Sequence, residues 1–305
     1  MTASSPDRPQ PLGVAGAFGA AVAWGASGVI AKSIDMDGLA VVAYRFWLSA
    51  IVLFVFMAFS GRLPSRTAVV AALPGGLALA ADVALFFSAV KLTTVANATV
   101  LTAMQPLLMM YLGSRLLGER VGRSQVLWSV VALSGIGLLV YGSAGQAEWD
   151  PLGDLLAIGA LVAWTGYLFF SKSSQGRVTP LQYTGITALL SAIGATVLAP
   201  VFGQDLGWPT ARSWLLLGVM AFGSGLCAHL LMNWALTRIP VWLGSATTLL
   251  IPASASAMAW IWLDEPLGPG QLFGIALTML ALGAITIGRS QPGTVPAETA
   301  VAETG

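Results

Sequence analysis

The chain has 305 residues, of which 56% are hydrophobic and 9% are charged, and its formal net charge is +1. A soluble domain carries about 25% charged residues, so this composition excludes an ordinary water-soluble globular protein. The near-zero net charge argues against nucleic-acid binding. The single cysteine, Cys227, excludes an intrachain disulfide and a cysteine-based metal site. We therefore expect no nucleic-acid partner, no metal and no cofactor.

Apolar runs recur along nearly the whole chain, and the mean hydropathy is +0.81. Each run is about 20 residues long, which is enough to cross about 30 Å of hydrocarbon. We predict an all-α integral membrane protein with ten transmembrane helices. The predicted helices cover residues 12–31, 40–59, 69–91, 95–117, 124–142, 152–170, 181–202, 213–236, 241–262 and 271–288.

The cationic side chains indicate the orientation of the chain. With the N-terminus inside, the predicted cytoplasmic segments contain ten of the 14 Lys and Arg residues and the external segments three, while Arg45 lies within a helix. The positive-inside rule therefore predicts that both termini are cytoplasmic. We expect a multi-pass protein of the inner (plasma) membrane, surrounded by the lipid bilayer.

The second half of the chain repeats the first. Residues 104–125 correspond to residues 250–271 at an offset of 146, which aligns Pro106 with Pro252, Glu119 with Glu265, Gly122 with Gly268 and Gln125 with Gln271. A second match, at an offset of 140, aligns Val22, Ala23, Trp24, Lys32 and Ser33 with Val162, Ala163, Trp164, Lys172 and Ser173. A repeat at half the chain length indicates two copies of one unit.

The repeat predicts the domain organisation. We divide the chain into a cytoplasmic N-terminal tail (1–11), a first repeat (12–142), an extracytoplasmic linker (143–151), a second repeat (152–288) and a disordered cytoplasmic tail (289–305). Five helices per repeat is an odd number, so the second copy starts from the opposite side of the membrane. Inverted repeats of this kind place a site between the two halves near the midplane, and they suit alternating access.

At this point the chain resembles the EamA-type transporters of the drug/metabolite transporter superfamily. The residues that carry the resemblance are Ala23-Trp24, Arg45-Phe46, Pro106, Gly118-Glu119, Ala163-Trp164, Pro252 and Asp264-Glu265. The resemblance covers about residues 12–288. It implies a ten-helix inner-membrane carrier whose central cavity is lined by helices 1, 3, 4, 6, 8 and 9. It also implies substrates such as amino acids and related metabolites, often exported, but these scaffold motifs do not name the substrate.

Asp82 is the acidic residue that the sequence places deepest within a predicted helix. A carboxylate inside the membrane is costly and usually marks a functional site. One reading is a substrate-binding or proton-coupling group, and Phe86, one turn further on, is then a second substrate-binding candidate. The other reading is an ion pair with Arg45, in which case both residues belong to the scaffold or to an outer gate. The sequence leaves both readings open.

His229 lies one position from the residue that corresponds to Asp82 in the second repeat, and it is the only histidine of the chain. Because an imidazole titrates near neutral pH, we consider it a candidate proton relay and substrate ligand. The alternative is a neutral imidazole bonded to a backbone carbonyl or a serine. Asn233, one turn away on the same face, is an expected hydrogen-bonding neighbour and a further substrate-binding candidate. Arg45, Asp82 and His229 form our candidate gating or coupling group.

Aromatic side chains occupy equivalent places in the two repeats. Trp24 and Ser27 share one face of the first predicted helix, and Trp164 and Tyr167 share one face of the sixth. Aromatic rings that line a cavity suit amphipathic or aromatic substrates, through stacking and cation–π contact with an amine. Ordinary helix packing is the alternative, and the symmetric placement of two tryptophans makes the two interpretations about equal in weight.

Two prolines interrupt apolar helices at matching positions, Pro106 and Pro252. A proline frees the carbonyl one turn earlier, which then needs a partner or lines a cavity. We predict helix hinges at both prolines. Thr102, Gln105 and Thr248 are substrate-binding candidates beside them, unless these side chains only satisfy the freed backbone.

These observations predict a secondary transporter of small metabolites that works by alternating access. The favoured substrates are amino acids, in particular aromatic or large apolar ones, and the favoured direction is export. Protons are an expected coupling partner, and we expect a monomer. The alternative is a carrier of another metabolite class, such as a drug-like or nucleotide-sugar-like solute. An intramembrane enzyme fits less well, because the titratable groups are few and lie in opposite halves. We therefore predict that the protein is not an enzyme.

Overall fold

The computed structural model describes residues 9–93, 95–143 and 150–287, and these residues form helices and no β-strand. Within this described part, nine helical segments are long and apolar enough to cross a membrane. The prediction of an all-α, multi-pass membrane protein is therefore confirmed. Most of the predicted 1–11 tail and 143–151 linker, and all of the 289–305 tail, lie outside the described residues.

The helices follow one another with short connections. They are α1 (Pro11–Lys32), α2 (Gly38–Phe59), α3 (Arg66–Leu92), α4 (Val95–Ala103), α5 (Gln105–Leu116), α6 (Arg123–Ser143), α7 (Pro151–Ser173), α8 (Pro180–Val201), α9 (Ala211–Met220), a π-helix (Ala221–Ala228), α10 (His229–Ala235), α11 (Val241–Thr247), α12 (Leu250–Leu263) and α13 (Pro269–Ile287). Several begin at a proline, which has no N–H to leave unsatisfied at a helix start.

Two helices that the sequence predicts as continuous are broken beside a proline. The predicted 95–117 helix is interrupted at Met104, and the predicted 241–262 helix between α11 and α12, just before Pro252. Proline removes a backbone donor and its ring clashes with the carbonyl one turn earlier, which explains both breaks. Because α4 and α5 are only 9 and 12 residues long, a tenth membrane crossing there stays a prediction.

A third predicted helix, 213–236, contains the π-helix Ala221–Ala228. A π-helix widens the turn, so its backbone can meet a neighbouring helix in ways that a regular α-helix does not, and such segments are frequent at functional sites. Here the Ser49 hydroxyl of α2 donates to the carbonyl of Ala221 at 3.0 Å, and Arg45 of α2 contacts Ser224. The hydropathy of this segment gave no sign of it.

The helices pack closely through small residues. The main neighbours are α3 with α7 and α8, α6 with α13, α2 with α8, and α1 with α12. At the crossing of α6 and α13, a Cβ atom built on Gly274 would lie 2.5 Å from the carbonyl oxygen of Gly135. This backbone approach requires glycine, and close packing of this kind is what holds helices together in lipid.

The bundle has two ends, which we name after the acidic turns that lie there. At the Glu119 end, the backbone before α1 meets Arg238, since Gln10 N–H donates to its carbonyl at 3.4 Å. At the other end, α1 finishes at Lys32, which pairs with Glu265. Helix α7 finishes at the Glu119 end, where Lys172 bonds backbone carbonyls. Helices α1 and α7 therefore run in opposite directions.

Candidate functional site

An aromatic group that we call the central cluster lies between helices of both halves. It consists of Trp24, Phe46, Trp164, Tyr167, Tyr183 and His229. The ring centroids of Trp24 and Trp164 are 5.1 Å apart, and the His229 ring is 5.1 Å from Trp24 in an edge-to-face arrangement. Edge-to-face pairs are the preferred geometry of aromatic rings. The structure thus brings the two repeat-related tryptophans into direct contact.

Hydrogen bonds join this cluster to polar side chains of α7, α8 and α10. The Tyr167 hydroxyl lies 3.0 Å from His229 Nδ1 and accepts from Asn233 Nδ2 at 2.9 Å. Asn233 also donates to Thr184 Oγ1 at 2.9 Å and accepts from Ser171 Oγ at 2.7 Å. All five side chains are buried, and the most exposed of them, Ser171, is only 6% exposed. Such fully paired networks fix the rotamers of their members.

The hydrogen bonds around Tyr167 are compatible with a neutral His229. Asn233 Nδ2 donates a hydrogen bond to the Tyr167 oxygen, which leaves the Tyr167 O–H able to donate to His229 Nδ1. In that arrangement Nδ1 accepts, and the ring is the neutral Nε2–H tautomer. A Tyr167 oxygen that accepts from both neighbours would instead suit a ring with a proton on Nδ1. Protonation of His229 would turn Nδ1 into a donor and would force Tyr167 to find another acceptor. The side-chain partner of His229 Nδ1 is thus a tyrosine rather than a backbone carbonyl or a serine. The proton relay stays a prediction.

A second polar group lies where the broken helices meet. Gln105, at the start of α5, is 1% exposed. Its Oε1 accepts from Ser245 Oγ at 2.9 Å and from Thr248 Oγ1 at 3.5 Å. Gln105 and Thr248 therefore join α5 to the end of α11, close to Pro106 and Pro252. Movement at these prolines stays a prediction.

Three candidates take no part in either network of side-chain hydrogen bonds. The Ser27 hydroxyl donates to the Trp24 carbonyl of its own helix at 2.7 Å, and Thr102 likewise bonds the Ala98 carbonyl of α4 at 2.8 Å. Phe86 meets Phe87 edge-to-face and packs in a separate apolar group with residues of α4 and α7. In this structure these hydroxyls serve their own helices.

Asp82 and Arg45 lie within electrostatic range of each other but do not form an ion pair. Arg45 Nη1 donates to Ser224 Oγ at 3.4 Å, and its Cζ lies 4.8 Å from the Phe46 ring. Phe46 in turn contacts His229, with 5.6 Å between the ring centroids. Arg45 is therefore continuous with the central cluster, and the direct Arg45–Asp82 contact that the sequence allowed is not formed.

The sequence did not identify Phe46, Tyr183 or Thr184 as site residues. Tyr183 donates its hydroxyl proton to the Tyr167 carbonyl at 2.8 Å and lies against Gly75 of α3. The available signal was the run of polar side chains in an apolar helix, Tyr183, Thr184 and Thr187. Hydroxyls on one face of a membrane helix often point to a polar interior, but threonine also bonds its own backbone, so the signal is weak.

The Glu119 carboxylate closes one end of the bundle. It is 5% exposed, and it accepts from the backbone N–H of Val241 at 2.8 Å and of Trp242 at 3.3 Å. Glu119 thus caps α11, in the other half of the chain, rather than α6, the helix that follows it in sequence. Beside it, Lys172 Nζ donates to the carbonyls of Leu236 at 2.6 Å and Ile239 at 2.8 Å.

Two surface cavities lie away from the central cluster. One, of about 280 Å³, is lined by Arg66, Thr67, Val70, Ala71 and Arg177, and the other, of about 330 Å³, by Thr237 and residues 175–182. Neither contains a residue of the central cluster. Across the described ranges, no group of three or more His, Cys, Asp or Glu side chains could hold a metal ion.

Comparison with known proteins gives a consistent family. The model of the EamA-like transporter family matches residues 11–141 and again residues 151–287. The uncharacterized transporter YwfM of Bacillus subtilis is 31% identical over 208 residues, which are 66% of this chain and 68% of YwfM. A probable terminal-alkyne amino-acid exporter of Streptantibioticus cattleyicolor is 28% identical over 211 residues, 66% of this chain and 68% of that protein.

The fold is also similar to that of a protein solved by crystallography. The TM-score is 0.79 at 19% sequence identity, and the likeness covers 90% of this chain and 97% of the other. At this identity the likeness concerns the fold alone.

Proposed function

Because the chain belongs to the EamA-like transporter family, we propose that it is a secondary transporter that exports amino acids by alternating access between two inverted halves. The observation that carries the proposal is the central cluster. It joins Trp24 and Phe46 of the first half to Trp164, Tyr167 and His229 of the second half, in the interior of an apolar bundle. Inverted-repeat carriers have their substrate site between the halves.

The chemistry of the cluster supports an amphipathic substrate. Trp24 is 8% exposed, and its indole N–H has no acceptor among the described residues. A buried donor without a partner costs about 1–3 kcal/mol, so an acceptor on the substrate would be favoured there. The surrounding rings offer stacking surface for an aromatic or large apolar side chain. The similarity to a protein described as a probable amino-acid exporter agrees with this substrate class.

The two ends of the bundle support alternating access. The Glu119 end is tied by a buried carboxylate and by Lys172, whereas the Glu265 end has an exposed ion pair. We propose that the substrate reaches the central cluster from the Glu265 end in this state, and that the ties change places in the opposite state. The chain enters α1 at the Glu119 end. If the N-terminus is cytoplasmic, as we propose, the Glu119 end faces the cytoplasm.

Another metabolite class, such as drug-like or nucleotide-sugar-like solutes, is the alternative cargo. An intramembrane enzyme is the alternative class of function. It would need a nucleophile or an acid–base pair at the centre, and the hydrogen bonds of His229 and Tyr167 are directed at each other and at Asn233. Purified protein in liposomes distinguishes the two classes. A carrier exchanges an unmodified solute across the membrane, whereas an enzyme converts it.

Counterflow in proteoliposomes tests the proposal. Vesicles are preloaded with each of a panel of unlabelled amino acids, and the uptake of the labelled amino acid is followed. We expect trans-stimulation by aromatic or large apolar amino acids, and we expect Trp24→Ala to reduce it at least about 10-fold by removing stacking and a donor. The matched control is Trp208→Ala, since Trp208 is 82% exposed. Absence of trans-stimulation across the panel would overturn amino-acid transport.

We further propose that Asp82 or His229 couples proton movement to transport, because both are titratable groups within the membrane-spanning helices. Protonation of His229 would reverse its bond to Tyr167, which gives a route from proton to structure. Uptake driven by a pH gradient is compared in wild type and in the variant with alanine at both positions. Unchanged uptake would mean facilitated transport without coupling.

A further inference from the structure

Two opposite charges in the interior of the bundle, Arg45 and Asp82, form no direct ion pair with any residue that the structure describes. Among the described residues, the Arg45 guanidinium makes one hydrogen bond, the 3.4 Å contact from Nη1 to Ser224, and its buried Nε has no acceptor there. Asp82 is half-buried, and its carboxylate accepts no hydrogen bond from any residue that the structure describes. An isolated charge in a membrane interior is expensive, so each of these groups calls for a counter-charge.

The two charges do not satisfy each other. They interact electrostatically, yet the ion pair found in the described part of the chain is the exposed one between Lys32 and Glu265. The two charges are therefore farther apart than the atoms of a direct ion pair, yet close enough to interact electrostatically. Each residue is half-buried overall, although the Nε atom of Arg45 is itself buried.

Both charges border the central cluster. On one side, the Arg45 guanidinium lies over Phe46, which contacts His229. On the other side, α3 packs along α7, with Ala78 opposite Gly166 and Leu85 opposite Gly159. Residues 78, 82 and 85 share one helix face, so Asp82 lies between these two contacts. It is level with residues 162–163, which precede Trp164 of the central cluster in the sequence.

We propose that Arg45 and Asp82 are the two poles of a site for a zwitterionic α-amino acid. The guanidinium binds the α-carboxylate, Asp82 binds the α-ammonium, and the side chain of the substrate lies against the central cluster. This inference rests on the proposed function and names the groups that read the substrate. A zwitterion neutralises both poles at once. A monovalent amine or acid leaves one pole uncompensated, and a diphosphate is repelled by Asp82.

The geometry suits the chemistry of each pole. A guanidinium presents a planar fork of donors that matches a carboxylate, and the buried Nε of Arg45 is one of those donors. A carboxylate accepts hydrogen bonds from an ammonium group, and no donor among the described residues bonds the Asp82 carboxylate. Aromatic faces beside an ammonium add cation–π attraction.

The test uses three probes of one shape: L-phenylalanine, 2-phenylethylamine, which lacks the carboxylate, and 3-phenylpropionate, which lacks the ammonium. Their affinities for the purified full-length protein are measured by ligand-induced thermal stabilisation in detergent, so that a variant without transport activity still reports binding. In wild type we expect phenylalanine to bind about 10- to 100-fold more tightly than either analogue, as charge-assisted hydrogen bonds predict.

Each variant should lose the discrimination against one of the two analogues. Arg45→Gln should bring 2-phenylethylamine to within about 3-fold of phenylalanine, and Asp82→Asn should do the same for 3-phenylpropionate. Asp82→Glu keeps the charge and should keep the discrimination with weaker binding, which reports on the pole if Asp82→Asn fails to fold. Lys32→Gln, which removes an exposed cation at the Glu265 end, is the matched control and should keep the wild-type ratios.

Two failures are distinguishable. The two-pole site is wrong if wild type fails to bind phenylalanine more tightly than each analogue. It is also wrong if Arg45→Gln and Asp82→Asn fold and keep the wild-type ratios of affinity. In both cases amino-acid transport can stand. If counterflow shows no exchange of any amino acid, the proposed function fails, and the site falls with it.

Discussion

The two acidic turns of the molecule, after α5 and after α12, have the same backbone and different surroundings. Gly118 and Asp264 occupy equivalent positions in the repeat, and both have left-handed backbone, with φ of +67° and 52°. In both turns the next residue, Glu119 or Glu265, donates its N–H to the helix it has just left, at 3.0 Å and 3.4 Å. The local sequence thus folds in the same way twice.

The side chains of the two turns meet different partners. Glu119 is buried against the first turn of α11 and binds two backbone N–H groups. Glu265 is 52% exposed and pairs with Lys32, which is 61% exposed. The difference shows that the role of the motif is set by the helix that packs beside it, and that this molecule is tied more firmly at its Glu119 end.

The largest expected effect is on stability at the buried turn. Glu119→Ala leaves the N–H groups of Val241 and Trp242 without acceptors, so we expect a loss of about 2 kcal/mol in the free energy of unfolding. Glu265→Ala removes an exposed ion pair and should cost less than about 1 kcal/mol. Unfolding by SDS in mixed micelles measures both. Equal losses would show that the two turns are energetically equivalent.

A smaller effect is expected from the shared left-handed residues. Gly118→Ala places a Cβ at positive φ and should cost about 1–2 kcal/mol. Asp264→Gly relieves the same constraint and should stabilise the protein by somewhat less than about 1 kcal/mol, since aspartate tolerates this conformation better than most residues. The same SDS titration serves. A gain from Gly118→Ala would mean that the common backbone is not what stabilises these turns.

The smallest effect concerns pH. Burial raises the pKa of the Glu119 carboxyl above its ordinary value, although the N–H groups of Val241 and Trp242 and the charge of Lys172 act in the opposite direction. An acid whose pKa is raised by folding binds its proton more tightly in the folded state. Its contribution to stability therefore grows as the pH falls through the window between the ordinary and the raised pKa, and it is lost as the pH rises.

Glu119→Gln removes this titration. The difference in unfolding free energy between wild type and variant should shift in favour of wild type on acidification, by less than about 1.4 kcal/mol per pH unit, the limit for one proton. Repeating the SDS titration from acidic to neutral pH measures it. A difference that does not vary with pH would contradict the assignment of a raised pKa to this buried turn.

The candidate site was predictable where symmetry exposed it. The repeated Val-Ala-Trp motif predicted that Trp24 and Trp164 are related, and the structure places their rings in contact. Helical spacing also predicted Asn233 as a neighbour of His229, and both bond Tyr167. Phe46 and Tyr183 escaped prediction because a single aromatic in an apolar helix gives no sign of the face it presents.

The sequence by itself determined the all-helical membrane class and most helix bounds to within about three residues. It also located the two prolines, Pro106 and Pro252, beside which the structure interrupts helices that the sequence predicted as continuous. These features follow from local chemistry, since lipid demands apolar runs and proline lacks a donor. Only the tertiary structure decided that Glu119 caps α11, that a π-helix precedes His229, and that Arg45 and Asp82 stay apart. Each of these features depends on which helices pack against each other, and the sequence of an apolar helix does not specify its neighbours.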